Sequence, residues 1–229
     1  MTILALDTTS RLGSVALLRD GALLEVRAIE APKGFAANLY PEIRGLLERN
    51  NTALTDVDCF AAASGPGSFT GIRIGLTAAK SLAEVNGKKV VGVSNLRAMA
   101  ELGEGRFRAP VMDARRGEVY AAVFDEDGQA VADEVVTPWP AFVDLVDGRD
   151  VTFLSTETSL FGADGAAPLD AGENETETTS HMTLDTPLAA GVARLAKQTM
   201  TAGEALDPEE LDANYVRRPD AELNWKPPE

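Results

Sequence analysis

The stretch Ser64–Arg73, SGPGSFTGIR, constrains this chain more than any other. An apolar run, Cys59-Phe60-Ala61-Ala62-Ala63, precedes it, and a helical pattern follows from about Ile72. Two glycines and a proline make a tight turn, and Ser68 or Thr70 supplies an N-cap hydroxyl. A strand, a glycine loop and a helix start together offer backbone N–H groups and the positive end of a helix dipole to an anion or to a buried partner group. The two commonest glycine motifs are excluded by spacing. Gly65 and Gly67 are followed three residues on by Thr70, with Gly71 one place late for the dinucleotide fingerprint. Ile72 and Arg73 follow Gly71 where a P-loop needs Lys and Ser or Thr. A structural turn capping a core helix and a nucleotide or docking element both remain open.

The chain has 229 residues and is 45% apolar, enough for one large or two small domains with a real core. The single cysteine, Cys59, sits in an apolar run and reads as a small buried hydrophobe, which fits a reducing compartment. The start MTILALDTTS carries no basic leader, and no apolar run approaches the ~20 residues that span a bilayer. The expectation is a soluble, cytoplasmic protein with no membrane partner. Net charge is −15 and unevenly placed. Residues 1–103 carry 11 Lys/Arg against 10 Asp/Glu, whereas residues 104–229 carry 10 against 26. Such acidity argues against nucleic-acid binding by the chain on its own, because that affinity comes largely from Lys and Arg neutralising phosphates.

Hydrophobic patterning predicts an α/β chain with mixed sheets and flanking helices. Strands are expected at residues 2–6, 14–18, 23–29, 57–63 and 89–93. Helices are expected at about 35–49, 70–86 and 95–102. Asp20-Gly21 marks a hairpin, and Asn86-Gly87 closes the second helix. A second unit begins near 103–108, with strands at 110–113, 119–124, 130–136 and 151–154. Helices at about 138–146 and 188–201 complete it, and residues 170–180 read as an acidic loop. Both halves share a strand, hairpin and helix character, suggesting two related lobes. The predicted organisation is an N-terminal lobe at 1–103, a C-terminal lobe at 104–205 and a tail at 206–229 that packs back on them.

Two local patterns carry functional weight. Gly71, Gly75 and Ala79 share one face of the 70–86 helix beside an apolar strip of Ile72, Leu76 and Ala83. Interior glycines cost about 1 kcal/mol each in a helix, so close packing must offset them. That face packs either on the home sheet or across an interface. Phe35, Leu39, Ile43 and Leu46 give the 35–49 helix its apolar stripe. The second pattern is Asp7-Thr8-Thr9-Ser10 after the first strand. A carboxylate followed by hydroxyls suits a metal–phosphate site, and equally suits an Asx or Ser/Thr turn.

Taken in order, ILALDTTSRLGSVALL, SGPGSFTGIRIGL, VVGVSNLRAMA and DARRGEVYAAVF, with ANYVRR near the end, resemble the bacterial TsaB (YeaZ) family. The match runs from residue 1 to about 125 and resumes near 206–218. The resemblance implies the two-lobed actin, sugar kinase and Hsp70 fold, known as ASKHA. It implies work with a catalytic paralogue, TsaD, and a small ATPase, TsaE, which together install N6-threonylcarbamoyladenosine at adenosine 37 of tRNAs. The expected role is a non-catalytic activating subunit that meets tRNA only through the complex. It would dock TsaD through a helix bundle carrying Phe35, Leu39, Ile43, Leu46, Gly71, Ile72, Gly75, Leu76, Ala79 and Ala83, and would form a homodimer when that partner is absent. Asp7, Thr8, Thr9, Ser10, Gly65, Gly67, Ser68 and Thr70 would then be a degenerate phosphate-loop-like set, leaving residual nucleotide binding as the one cofactor question. Asp113, Arg115, Glu118 and Tyr120 match the family's Asp-Ala-Arg…Glu-Val-Tyr pattern and read as an inter-lobe polar network.

TsaD holds its metal with paired histidines; here the only histidine, His181, falls in a polar stretch and reads as a surface residue, so no metal site is expected. Lys33-Gly34-Phe35-Ala36 stands where family members often carry a His-Ser or His-Thr pair. Two other readings compete. One is a small-molecule kinase or ATPase using Asp7 and the glycine loop, and the other is a homodimeric scaffold.

Overall fold

The computed structural model describes residues 1–31, 34–146, 148–157 and 179–217. Two five-stranded mixed sheets are built on one plan. In the first, β1 (Thr2–Asp7) is flanked by the antiparallel strands β2 (Leu12–Arg19) and β3 (Ala22–Glu30) on one side. The parallel strands β4 (Cys59–Gly65) and β5 (Lys89–Ser94) lie on the other, giving the order β3-β2-β1-β4-β5. The second sheet repeats it. There β6 (Phe107–Arg115) is flanked by antiparallel β7 (Glu118–Phe124) and β8 (Ala130–Pro138) and by parallel β9 (Val151–Ser155) and β10 (Thr179–Thr183), in the order β10-β9-β6-β7-β8.

The burial pattern explains the layering. Every residue of β1 and β4 is buried, as expected of central strands covered on both faces. Side chains alternate between the faces. Leu4 and Leu6 meet α1 (Leu39–Arg49) and α2 (Phe69–Asn86); Ile3 and Ala5 meet α3 (Asn95–Leu102) and α5 (Ala189–Ala202). A third apolar cluster joins the second sheet to α4 (Trp139–Val146), where Trp139, Phe142 and Phe153 pack as tilted rings at separations of 5.0–6.3 Å. Phe124 and Leu154 of the second sheet enter the same cluster as Ile3 and Leu96, so the two lobes share apolar packing.

Chain position and packing part company at α5. It lies in the 104–205 segment yet packs on β1, β2, β4 and β5. Its first turn donates Ala189 N–H to Ser14 of β2 (3.0 Å), and Gly191 lets the Ala98 carbonyl of α3 approach where a Cβ would stand 2.4 Å away. Two further expectations are corrected. The first helix starts at Leu39, because residues 35–38 form a separate turn in which Asn38 and Leu39 N–H both reach the Phe35 carbonyl. That start places Pro41, which has no N–H to donate, in the first turn, where none is needed. Thr179 and Ser180 belong to edge strand β10 rather than to an acidic loop; residues 170–178 lie outside the described residues.

Candidate functional site

Two loops meet at the C-terminal ends of β1 and β4, and their polar groups are spent on one another. Ser68 caps α2 by accepting the Gly71 N–H at 3.3 Å. Ser68 N–H in turn donates to the Thr9 carbonyl at 2.7 Å, and the Thr8 hydroxyl donates to the Gly71 carbonyl at 2.7 Å. The glycines permit this approach. A Cβ on Gly71 would sit 1.9 Å from the Thr8 carbonyl oxygen, one on Gly67 2.8 Å from that of Thr9, and one on Gly75 2.7 Å from the Thr8 hydroxyl. Asp7 is buried and accepts both the Thr9 N–H (2.9 Å) and the Thr9 hydroxyl (2.6 Å). Burial drives its pKa above the usual carboxylate value, with the Thr9 hydrogen bonds working against the shift.

Asn95, fully buried at the start of α3, closes the network. It accepts Gly65 N–H at 3.0 Å and donates to the Thr9 hydroxyl at 2.5 Å. Ser10 turns away, donating to the Leu12 carbonyl. Thr70 instead lines the outer groove beside α2. A phosphate does not fit between these loops: it would have to displace the Thr8 and Thr9 main chain from Gly71 and Gly67 and compete with Asn95. Among the described residues no group of three His, Cys, Asp or Glu side chains is placed to hold a metal ion. Asp7 and the glycine loop, on which the kinase reading rests, here bond to Thr8 and Thr9 of the same chain.

The helix residues expected at an interface are turned inward. Phe35, Leu39, Ile43, Leu46, Ile72, Leu76, Ala79 and Ala83 are all buried in the cluster beneath α1 and α2, and Gly71 and Gly75 face the β1–β2 loop. Small residues at four-residue spacing seat α2 on its own chain. Outward, the two helices and the turn before α1 form a groove of about 490 Å³, lined by Ala36, Tyr40, Phe69, Arg73, Ile74 and Thr77 among others, with Leu39 the one member of the buried stripe that reaches it. Tyr40 and Phe69 are about half exposed.

The tail reaches this groove. Leu206 pairs with Val90 at the edge of β5, and Lys80 donates to the Leu211 carbonyl at 2.8 Å. Leu211 is buried over Gly92, where a Cβ would stand 2.6 Å from its side chain. Asn214 N–H donates to the Ser64 carbonyl (2.8 Å) and its side chain to Glu134 of β8 (2.7 Å). Tyr215 stacks on Phe69 at 5.4 Å, and the Arg73 guanidinium lies 4.0 Å over the Phe69 ring.

Of the expected inter-lobe set, Asp113 and Arg115 pair with each other within the β6–β7 turn at 3.0 Å. Glu118 and Tyr120 are gathered by Arg217 of the tail, which also donates to the Ala114 carbonyl. The polar contacts between the two sheets centre on Glu134, which the sequence left without a role: Ser94 donates to it, and so does Asn214 of the tail. Glu134 sits in an alternating edge strand with no motif around it. Ser94 and Asn214 lie within the quoted segments VVGVSNLRAMA and ANYVRR. His181 stacks on Phe153 at 5.3 Å within β10 instead of standing free on the surface. Cys59 is fully buried and its thiol pKa is pushed up to about 12 by that burial, as a small core residue requires.

Two sheets of identical order, with two loops meeting at the C-terminal ends of β1 and β4, define an actin, sugar kinase and Hsp70-like two-lobed protein. The dehydratase activator from Clostridium difficile, solved with bound ADPNP, shares this fold with a TM-score of 0.56 over 89% of this chain and 97% of its own, at 11% identity. A solved YeaZ from Pseudomonas aeruginosa is similar at 28% identity and a TM-score of 0.76, covering 93% of this chain and all of that one. The family model for TsaD, tRNA N6-adenosine threonylcarbamoyltransferase, matches residues 29–225. The Bacillus subtilis tRNA threonylcarbamoyladenosine biosynthesis protein TsaB is 31% identical over 98% of both chains. The chain belongs to the TsaB (YeaZ) family of tRNA threonylcarbamoyladenosine biosynthesis proteins.

Proposed function

We propose that this chain is the non-catalytic activating subunit of the assembly that installs N6-threonylcarbamoyladenosine in tRNA. It docks a TsaD-like catalytic paralogue, works beside a TsaE-like ATPase, and meets tRNA through that assembly. The outer face of α1 and α2 is the docking surface, and it pairs with a second copy when the paralogue is absent. The observation that carries this reading is the contrast between the two sides of α2. Its inner side closes the loops where a kinase of this fold would hold phosphate. Its outer side exposes aromatic, arginine and aliphatic groups of the kind that anchor protein interfaces. The reading assigns the chain no cofactor of its own and a cytoplasmic setting; no described helix is long and apolar enough to cross a membrane.

The test is an omission experiment. TsaD, TsaE, tRNA, ATP and threonylcarbamoyl-adenylate are combined with and without this chain, and modified adenosine is counted by mass spectrometry. Modification is expected to depend on the chain. Equal modification without it would sink the activating role.

A further inference from the structure

The groove over α1 and α2 carries a charge at odds with the rest of the molecule. The chain has a net charge of −15, yet among the described residues lining the groove Arg73 is the one charged side chain. It lies beside Phe69, Ile74 and Thr77. Arg73 is exposed, and none of the ion pairs among the described residues includes it. It is nonetheless held in place. Its guanidinium lies 4.0 Å over the Phe69 ring, and its Nε–H donates to the Tyr215 hydroxyl at 3.3 Å. Tyr215 in turn stacks on Phe69 at 5.4 Å, and its neighbour Asn214 is anchored to Ser64 and Glu134. The tail thus fixes one edge of the guanidinium and leaves both Nη groups without a hydrogen-bond partner among the described residues.

That arrangement says what must cover it. A partner laid in the groove takes Arg73 out of water, and a buried guanidinium is costly unless it is paired and hydrogen-bonded. The described lining of the groove offers no carboxylate. Two Nη groups form the planar fork that a carboxylate meets with two parallel hydrogen bonds. A second copy of this chain fits less well. A two-fold pair brings the same patch to both sides, so each groove would offer the other an arginine and no carboxylate, on two molecules that already repel at −15 each.

Resting on the reading that the outer face of α1 and α2 docks a catalytic paralogue, we infer that the paralogue presents a carboxylate side chain, set among apolar ones, to the Arg73 guanidinium. Tyr215 of the tail is the positioning residue of that pair. Holding the arginine on Phe69 before the partner arrives reduces the side-chain freedom lost on docking.

The test is a calorimetric titration of a purified TsaD-like paralogue into this chain, without tRNA. Arg73→Met keeps an apolar stem and removes the charge. At unchanged Tm it should weaken binding by about 30-fold or more, because the partner's carboxylate is left buried and unpaired. Arg73→Lys, which keeps the charge and loses the fork, should fall between. Tyr215→Phe keeps the ring stack and removes the hydroxyl. It should weaken binding to the wild-type groove and change nothing further in the Arg73→Met background, a coupling that a merely structural tyrosine would not show. Equal or tighter binding by Arg73→Met would overturn the inference, since the partner would then be apolar at that point. Unchanged protein binding with poorer retention of tRNA by the assembled complex would assign the guanidinium to phosphate and overturn it too. Loss of self-association in sedimentation, with paralogue binding intact, would give the carboxylate to a second copy, against the inference. Failure of the wild-type chain to bind the paralogue at all would instead strike the docking reading itself.

Discussion

Asp7 is a carboxylate held in the core with hydroxyl and amide partners. Its folded-state pKa is raised, so the unfolded chain releases the proton more readily than the folded one. Stability contributed by this residue is greatest below the ordinary carboxylate pKa and falls as pH rises through the raised value. Asp7→Asn is expected to raise Tm at neutral pH, with the gain over wild type vanishing in acid; a pH series of thermal melts checks it. Gly71 sits at the other extreme of tolerance. Gly71→Ala is expected to lose about 3 kcal/mol in urea unfolding, since the new Cβ would collide with the Thr8 carbonyl and neither main chain can yield cheaply.

At the level of elements, α2 is a two-sided device whose sides answer to different measurements. Thr77→Arg, on the exposed side, is expected to abolish co-elution with a TsaD-like partner while leaving Tm within a degree or two. Gly75→Leu, on the buried side, is expected to lower Tm itself, because its side chain would drive into Thr8. Equal effects of both on Tm would remove the distinction. The sequence made α2 legible: Ser68 caps it, Gly87 ends it in the left-handed conformation, and the apolar period fills it. Periodicity also named the right residues for the stripe of α1. It could not say which side of a small-residue stripe is the outside, because Gly and Ala seat a helix against any close neighbour, its own chain included. Asn95 and Glu134 were missed for a related reason. Each has a role set by residues some 30 to 86 positions away, and local patterning carries no such distance.

For the whole molecule, the tail adds polar contacts to both lobes beyond the apolar packing they share. Between Leu206 and Arg217 it adds a bridge to β5, a buried leucine, and hydrogen bonds to Ser64, Glu134 and Glu118. Leu211→Ala is expected to cost about 3 kcal/mol, as truncation of a buried leucine does. It should also raise amide hydrogen exchange in β5 and β8 together; exchange raised in β5 alone would mean that the tail holds one lobe only. The same arrangement bears on how the chain is made. On a ribosome the first sheet emerges early with α3, but the apolar face formed by Ile3, Ala5, Ala16 and Leu18 is completed only by α5, and the β5 edge waits for Leu206. The leading half therefore leaves the exit tunnel with one side only partly covered. Until residues 189–211 arrive, that face and that strand edge are the kind of surface through which partly made chains aggregate.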